Sequence, residues 1–390
     1  MAQDSYCVLV AGSGMLPGAV RFGREGVGVP EFEYTGFPSH VVFGVGSTER
    51  RQLARVIDAL GAKRILLIAA EPERALADPI ADALGTRIAG RFSQIRAHVP
   101  IEIARQAREA ARAAQADCLL CVGGGSTTGT AKAVAMESGV DIVAVPTTYA
   151  GSEVTPVWGL TENGRKTTGV DLRVLPKLVI YDPALTVSLP AELSAVSGLN
   201  ALAHCAEALW TAKRNPITSL IAEEGIRALA AGLPAILADP ADLDARSHAL
   251  YGAWLAGNAF ATAGSGIHHK ICHVLGGAYY LPHAETHAVV LPYATSLAAP
   301  QLDGVDARIV SALGGDGDSA AEAIFVFERK LGAPVSLRQL ELPESELVHA
   351  GELVAEALEA LPEPPSRAAI EALLRAAFDG APPRSAMIIA

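Results

Sequence analysis

Residues 198–209 read GLNALAHCAEAL, which has the composition of a helix. Asn200 and His204 then lie four apart, one turn along the same face. A carboxylate at 200 beside an imidazole at 204 would make a plausible pair of metal ligands, whereas an amide is a poor one. The segment is therefore a damaged metal site, a site rebuilt for something else, or a plain helix. Five of the ten histidines fall in 268–287, within SGIHHKICHVLGGAYYLPHAETHAVVLP. On a helix His269 and His273 share a face, as do His268 and Cys272. Pro282–His283 stands just past the expected helix end. A single histidine usually does no more than make a hydrogen bond. A cluster at i, i+4 beside Pro-His, joined by His204, can ligate a metal or donate to an anion. His40, His98, His248 and His349 are isolated and receive no role.

A second group of residues could bind phosphate. CLLCVGGGSTTGTAKAVA (118–135) reads as strand, glycine turn, helix. Gly123, Gly124 and Gly125 let the backbone approach a ligand. The amides from Ser126 onward open a helix whose positive end suits a phosphate, and Lys132 lies further along it. The pattern is neither GxGxxG nor a P-loop. The next apolar run ends in VPTTYAGSEVTP (145–156), which places Thr147, Thr148 and Tyr149 in a second polar loop. Ligands collect at the C-terminal edge of parallel sheets, so two such loops side by side imply a nucleotide site.

The elements that must position these residues follow from periodicity. HVVFGV (40–45), RILLIAA (64–70), CLLCV (118–122), DIVAVP (141–146) and KLVIYDP (177–183) read as buried strands. Amphipathic stretches such as 50–60 and 101–115 separate them, and this alternation predicts an α/β domain with a mostly parallel sheet. After about residue 187 the strand signal fades. Helical patterns follow at 192–211, 217–230, 243–262, 265–279, 318–331, 344–360 and 366–378, so the second part reads as all-helical. The expected division is 1–187 and 188–390, with the site in the cleft between them. The first 30 residues are Gly-rich and hard to assign.

The 390 residues carry a net charge of −11 and are 50% hydrophobic. That balance argues against a nucleic-acid or anionic-membrane surface and for a globular enzyme. No apolar run is long enough to span a membrane, and the N-terminus lacks the basic start of a signal peptide. Five cysteines suit reduced thiols in a cytoplasm; Cys118 and Cys121, though spaced CxxC, read as small core residues of a strand.

These pieces in this order resemble the iron-containing alcohol dehydrogenase family. The carrying segments are GGGSTTGTAK, PTTYAGSE, GLNALAHCAEA, and HHKICH followed by LPHAETHAVVLP. The resemblance runs from about residue 32 to at least 300. It implies a dinucleotide-binding α/β domain, a helical domain, and an active site between them. The family holds its metal with one aspartate and three histidines, at positions matching Asn200, His204, His269 and His283. It implies NADH or NADPH contacts from Gly123, Gly124, Gly125, Ser126, Thr147 and Thr148, and places His273 near the nicotinamide and Lys166 at the cofactor cleft. Three positions depart from the pattern: Asn200 and Gly129 each stand for an aspartate, and Ala70 for an aspartate that in many members binds the adenosine ribose.

The maleylacetate reductase branch of the family resembles the chain more closely, through the same segments and GRKTTGVDLRVLPKLVIYDP. This implies hydride addition to a C=C bond conjugated to a ketone, in late catabolism of aromatic compounds. Charge then develops as an enolate, which imidazole N–H or ammonium donors can stabilise. The substrate carries two carboxylates; at about 4 Å one like-charge contact costs on the order of 4 kcal/mol before screening, which Asn200 in place of aspartate removes. The expectation is therefore a rebuilt site with no metal required. His204, His269, His283 and His273 are its catalytic residues; Asn200, Lys166 and Tyr149 its substrate contacts; Arg165 and Lys270 further sources of positive charge. The proton donor is left open among a histidine, Tyr149 and water. The family suggests a homodimer. Competing readings are a metal-dependent alcohol dehydrogenase or aldehyde reductase, a non-catalytic dinucleotide sensor, and a phosphate-eliminating synthase.

Overall fold

Runs of aliphatic residues with no polar alternation form strands only where both faces of a sheet are covered, and that is how this chain uses them. The computed structural model describes residues 32–37, 39–162, 165–315 and 318–383. The Gly-rich start, with Cys7 and the segment read as lacking a signal sequence, lies outside the described residues. The first part runs β1 (His40–Phe43), α1 (Arg50–Leu60), β2 (Ile65–Ile68), α2 (Arg74–Leu84), β3 (Ile88–Phe92), α3 (Ile101–Ala113), β4 (Cys118–Gly123), α4 (Gly125–Ser138) and β5 (Asp141–Pro146). A hairpin, β6 (Val157–Glu162) with β7 (Arg165–Val170), precedes β8 (Leu178–Tyr181).

Six strands make one parallel sheet in the order β1-β8-β5-β4-β2-β3. Alternate residues of its strands divide between two cores. Leu120, Val122, Val143 and Ile180 face α1 and α2, through Leu53, Ile57 and Ile80. Leu119, Cys121, Ala144 and Tyr181 face α3 and α4, and that core continues without a break into the helices that follow. Cys118 and Cys121 are buried strand residues, and burial pushes both thiols up to about 12. They are inert at neutral pH, as their strand position implied.

Nine helices then follow among the described residues: α5 (Ala191–Ala208), α6 (Pro216–Ala238), α7 (Leu243–Ala263), α8 (Ile267–Tyr279), α9 (His283–Ala298), α10 (Val305–Leu313), α11 (Ala320–Lys330), α12 (Leu347–Leu358) and α13 (Arg367–Asp379). None of the described helices is long and apolar enough to cross a membrane. Helix α9 was not among the expected elements, because Pro282 and Pro292 break its pattern; Pro292 sits inside it and is buried. The edge strand β3, the β6/β7 hairpin, α2 with its internal Pro79, and α10 were likewise not anticipated. Pro234, inside α6, hid the last turns of that helix.

Two ties bind the loop after β5 to its surroundings. Gly151 has φ +72°, and a Cβ on Gly257 of α7 would lie 2.4 Å from the Gly151 carbonyl oxygen, so the loop backbone rests directly on that helix. Lys132 of α4 is buried, and its ammonium donates to the carbonyls of Ser152 (2.7 Å), Thr155 (2.8 Å) and Val157 (2.8 Å). Burial pushes this group down to about 7, opposed by the nearby Glu153 carboxylate. The sequence placed Lys132 on a phosphate-binding helix; in the fold it works as a clamp on the following loop. Lys132→Met leaves three buried carbonyls short of a donor, so we expect it to cost on the order of 3 kcal/mol. The urea midpoint at unchanged m-value measures this. A loss under about 1 kcal/mol would show that the carbonyls find other donors.

Candidate active site

Helix α5 enters the core with Asn200, His204 and Glu207 all buried on it. Helix α8 brings His268 and His269, both buried, and His273, one turn on and exposed. Helix α9 opens at His283, which is exposed, with His287 fully buried one turn later. The helices pack so that the rings form a chain. His204 stacks on His269 at 4.9 Å between centroids. His269 meets His287 at 4.7 Å, and His287 meets His283 at 4.4 Å. Phe260 of α7 lies against both His204 (4.7 Å) and His269 (4.9 Å). His273 stands 6.1 Å from His269 and 6.5 Å from His283. The cluster thus has a buried floor of Asn200, His204, His269 and His287, under a rim of His273 and His283.

One charge orders the floor. Glu207, fully buried, accepts from the His269 backbone N–H (3.3 Å) and hydrogen-bonds the ring Nδ1 of the same residue. Burial works to raise the Glu207 carboxyl, but the charge and hydrogen bond of His269 hold it below the usual range. An ionised carboxylate only accepts, so Nδ1 carries the hydrogen and Nε2 is left for the site. Behind the floor His268 Nε2 and His287 Nδ1 share a hydrogen bond of 3.0 Å. Burial, then the neighbouring imidazoles, holds His204, His268 and His287 well below the ordinary histidine range. They are neutral rings at physiological pH. Asn200 Oδ1, His204 Nδ1, His269 Nε2 and His287 Nε2 are buried without a protein partner. An unmet buried polar atom costs about 1–3 kcal/mol, so this floor is built to receive a polar ligand.

Two of the residues in this cluster, Glu207 and His287, were not singled out from sequence. Glu207 is three residues past His204, in the same quoted segment. His287 follows His283 at the i, i+4 spacing that had been noticed at His269 and His273. The loop residue His98, which looked isolated, lies 6.5 Å from His283. Tyr149 is a correction. It is fully buried, and its phenol oxygen accepts from Arg246 Nη1 (3.2 Å), which also donates to Ser194 Oγ (2.7 Å). Its hydroxyl is committed to packing the loop on α5 and α7, so it neither binds substrate nor donates the proton. The backbone of Lys166 pairs with Thr161 in the hairpin; its side chain and that of Arg165 lie outside the described residues. Lys270 is half-buried on α8, about 100° round the helix from His269 and off the His269–His273 face.

The four positions that correspond to the family's metal ligands carry one amide and three imidazoles. An amide stands at 200 where the family has a carboxylate. Among the described residues the ligand atoms that converge within 4.8 Å belong to His268, His269 and His287, which share only His269 with the family's four.

The glycine loop fits a dinucleotide better. Gly123 and Pro146 are register partners at the C-terminal ends of β4 and β5, and Thr147 N–H donates to Gly123 O (3.2 Å). A Cβ on Gly124 would lie 3.0 Å from Thr148 Cγ2, so the two loops interlock. Glu73, after β2, accepts from Gly124 N–H (3.2 Å) and Thr127 Oγ1 (3.2 Å). Gly125 and Ser126 remain accessible at the start of α4, where first-turn amides have no helical acceptor. A cavity of about 380 Å³ opens past the ends of β2 and β3, lined by Ala70, Glu71, Arg74, Arg91 and Phe92 among others.

Comparison with known proteins agrees with this fold. Residues 38–183 match the iron-containing alcohol dehydrogenase model, and 194–378 match the C-terminal model of the same family. The chain belongs to the iron-containing alcohol dehydrogenase family. A maleylacetate reductase of Burkholderia cepacia is 48% identical over 88% of this chain and 96% of its own. A maleylacetate reductase of Sphingobium indicum is 46% identical over 91% of this chain and 100% of its own. The crystal structure of maleylacetate reductase from Agrobacterium tumefaciens superposes with a TM-score of 0.85 at 44% identity, covering 91% of this chain and 100% of that one.

The Glu207–His269 contact generates a prediction. Glu207→Gln keeps the shape but removes the charge, and we expect turnover to fall about 10–100-fold, the usual effect of losing the partner that orients a functional histidine. Steady-state kcat, with a denaturation curve to confirm folding, measures it. An unchanged kcat would show that packing against Phe260 and His204 alone fixes the ring.

Proposed function

We propose that the protein reduces the C=C bond of maleylacetate, giving 3-oxoadipate, with NADH or NADPH. The observation that carries this reading is the floor itself. Asn200 removes the carboxylate that would repel a dianion, and it lies one turn of α5 from His204, whose Nδ1, like His269 Nε2 and His287 Nε2, is buried without a protein partner. The relatives named maleylacetate reductase, at 42–48% identity, support it.

The accessible start of α4 at Gly125 and Ser126 would hold the cofactor pyrophosphate, with Gly123, Gly124, Thr147 and Thr148 shaping the loops around it. The cavity past β2 and β3 lies where the adenosine end would sit. The bound nicotinamide supplies a hydride. His273, exposed on the rim one turn from His269, would orient the ring that carries it. Hydride addition to the distal alkene carbon leaves an enolate on the ketone oxygen. Imidazole N–H groups of His204 and His283 would stabilise it, with the Asn200 amide, and His269, whose Nδ1–H is held by Glu207, would join them from Nε2 once that nitrogen carries a proton, in a site where donors act through low-dielectric surroundings. The enolate carbon then takes a proton, and with Tyr149 removed from the choice the candidates are a histidine or water. Lys166 remains a further candidate contact for a substrate carboxylate. No step passes through a metal, since the donor set departs from the family's; we propose that none is required. We place the reaction in the late catabolism of aromatic compounds, in the cytoplasm, in a homodimer.

The convergent nitrogens of His268, His269 and His287 favour one second reading, a metal-dependent alcohol dehydrogenase with an all-imidazole set. Oxidation of NADH and NADPH by freshly generated maleylacetate, with enzyme stripped by chelator and assayed for residual metal, separates the two. Full activity in stripped enzyme is expected. Activity that disappears and returns with iron or zinc would overturn the metal-free mechanism. No activity in either state, with turnover of short alcohols, would overturn the substrate.

A further inference from the structure

The loop between β3 and α3 carries two consecutive non-glycine residues in the left-handed region, His98 at φ +61° and Val99 at φ +47°. For a β-branched residue this conformation is a genuine outlier, and it persists only where the surroundings hold it. The surroundings do so from two sides. The Thr161 hydroxyl donates to His98 O (2.8 Å), and the Thr161 N–H donates to Val99 O (3.1 Å). Val99 is buried, and its Cγ2 occupies the space a Cβ on Gly129 would need, at 2.9 Å. Gly129 is where the family pattern has an aspartate, so the departure and the strained valine are one device. What the device presents is His98: an exposed imidazole 6.5 Å from His283, edge-on at 86°, over the rim of the cluster.

We propose that His98 is a substrate-contacting residue that donates a hydrogen bond to one carboxylate of the dianion, and that the Val99–Gly129 pair sets its position. The proposal rests on the dicarboxylate reading above. Strain held by packing at a site rim is consistent with a pre-organised contact, because the ring is placed before the ligand arrives. The position also suits the charge. The buried acid of the cluster, Glu207, lies behind the floor on α5, whereas His98 is exposed at the rim, where a second carboxylate of a bound dianion would still be reachable.

The test uses the full-length enzyme and steady-state kinetics. His98→Ala should raise KM for maleylacetate about tenfold or more while kcat stays within about threefold, the loss of one charge-assisted hydrogen bond. On a methyl-ketone enone that has no carboxylate, the same variant should match the parent. Gly129→Ala should raise KM for maleylacetate similarly by displacing Val99, and adding Val99→Gly to it should restore KM to within about threefold, because glycine accepts φ +47° and removes the clashing methyl. An unchanged KM in His98→Ala, or an equal loss on the uncharged enone, would overturn the substrate contact. A double variant no better than Gly129→Ala would overturn the positioning pair. Parent enzyme inactive on maleylacetate would instead count against the underlying function, so the two failures are distinguishable.

Discussion

A buried carboxylate with a single imidazole for a partner organises this site. Glu207 cannot stay ionised in the core unless donors surround it, and it has them: the ring and backbone N–H of His269 at the start of α8. The positive end of that helix adds to the same balance. Gly266 makes the approach feasible, since a Cβ there would lie 2.9 Å from Glu207 Oε1. The contact joins α5 to α8 and fixes which nitrogen of His269 faces the cleft. Every other ring position follows from that one, because His204 and Phe260 stack on His269 and His287 packs edge-on against it.

The remaining polar atoms of the floor are left unmet, and a fold does not bear that cost without a return. Desolvated imidazoles beside an amide offer their unmet nitrogens to a polar ligand, at a site where position 200 carries no charge. The rest of the scaffold serves placement. The parallel sheet sets the glycine loop and the Thr147–Thr148 loop at one edge, and Lys132 clamps the segment that leads from them into the hairpin. The hairpin in turn pins the strained turn at His98.

Strand and helix positions were legible where one period ran uninterrupted, as in β4, β5, α5 and α7. They were illegible where proline or a short edge strand broke the signal, as in α9 and β3. Position along a helix could pair Asn200 with His204, and His269 with His273. It could not show that His287, from a helix hidden by two prolines, lies between His269 and His283. Tyr149 shows the opposite error: a polar residue in a loop that looks ligand-facing has its hydroxyl bound to a buried arginine 97 residues away.

By itself the sequence determined the layered fold, the glycine loop, the family and the set of imidazoles, because local periodicity and residue type decide those. Tertiary structure decided which of these groups share a surface. Contacts such as Glu207 with His269 or Val99 with Gly129 join residues far apart in the chain, and no local pattern records a distance that only packing creates.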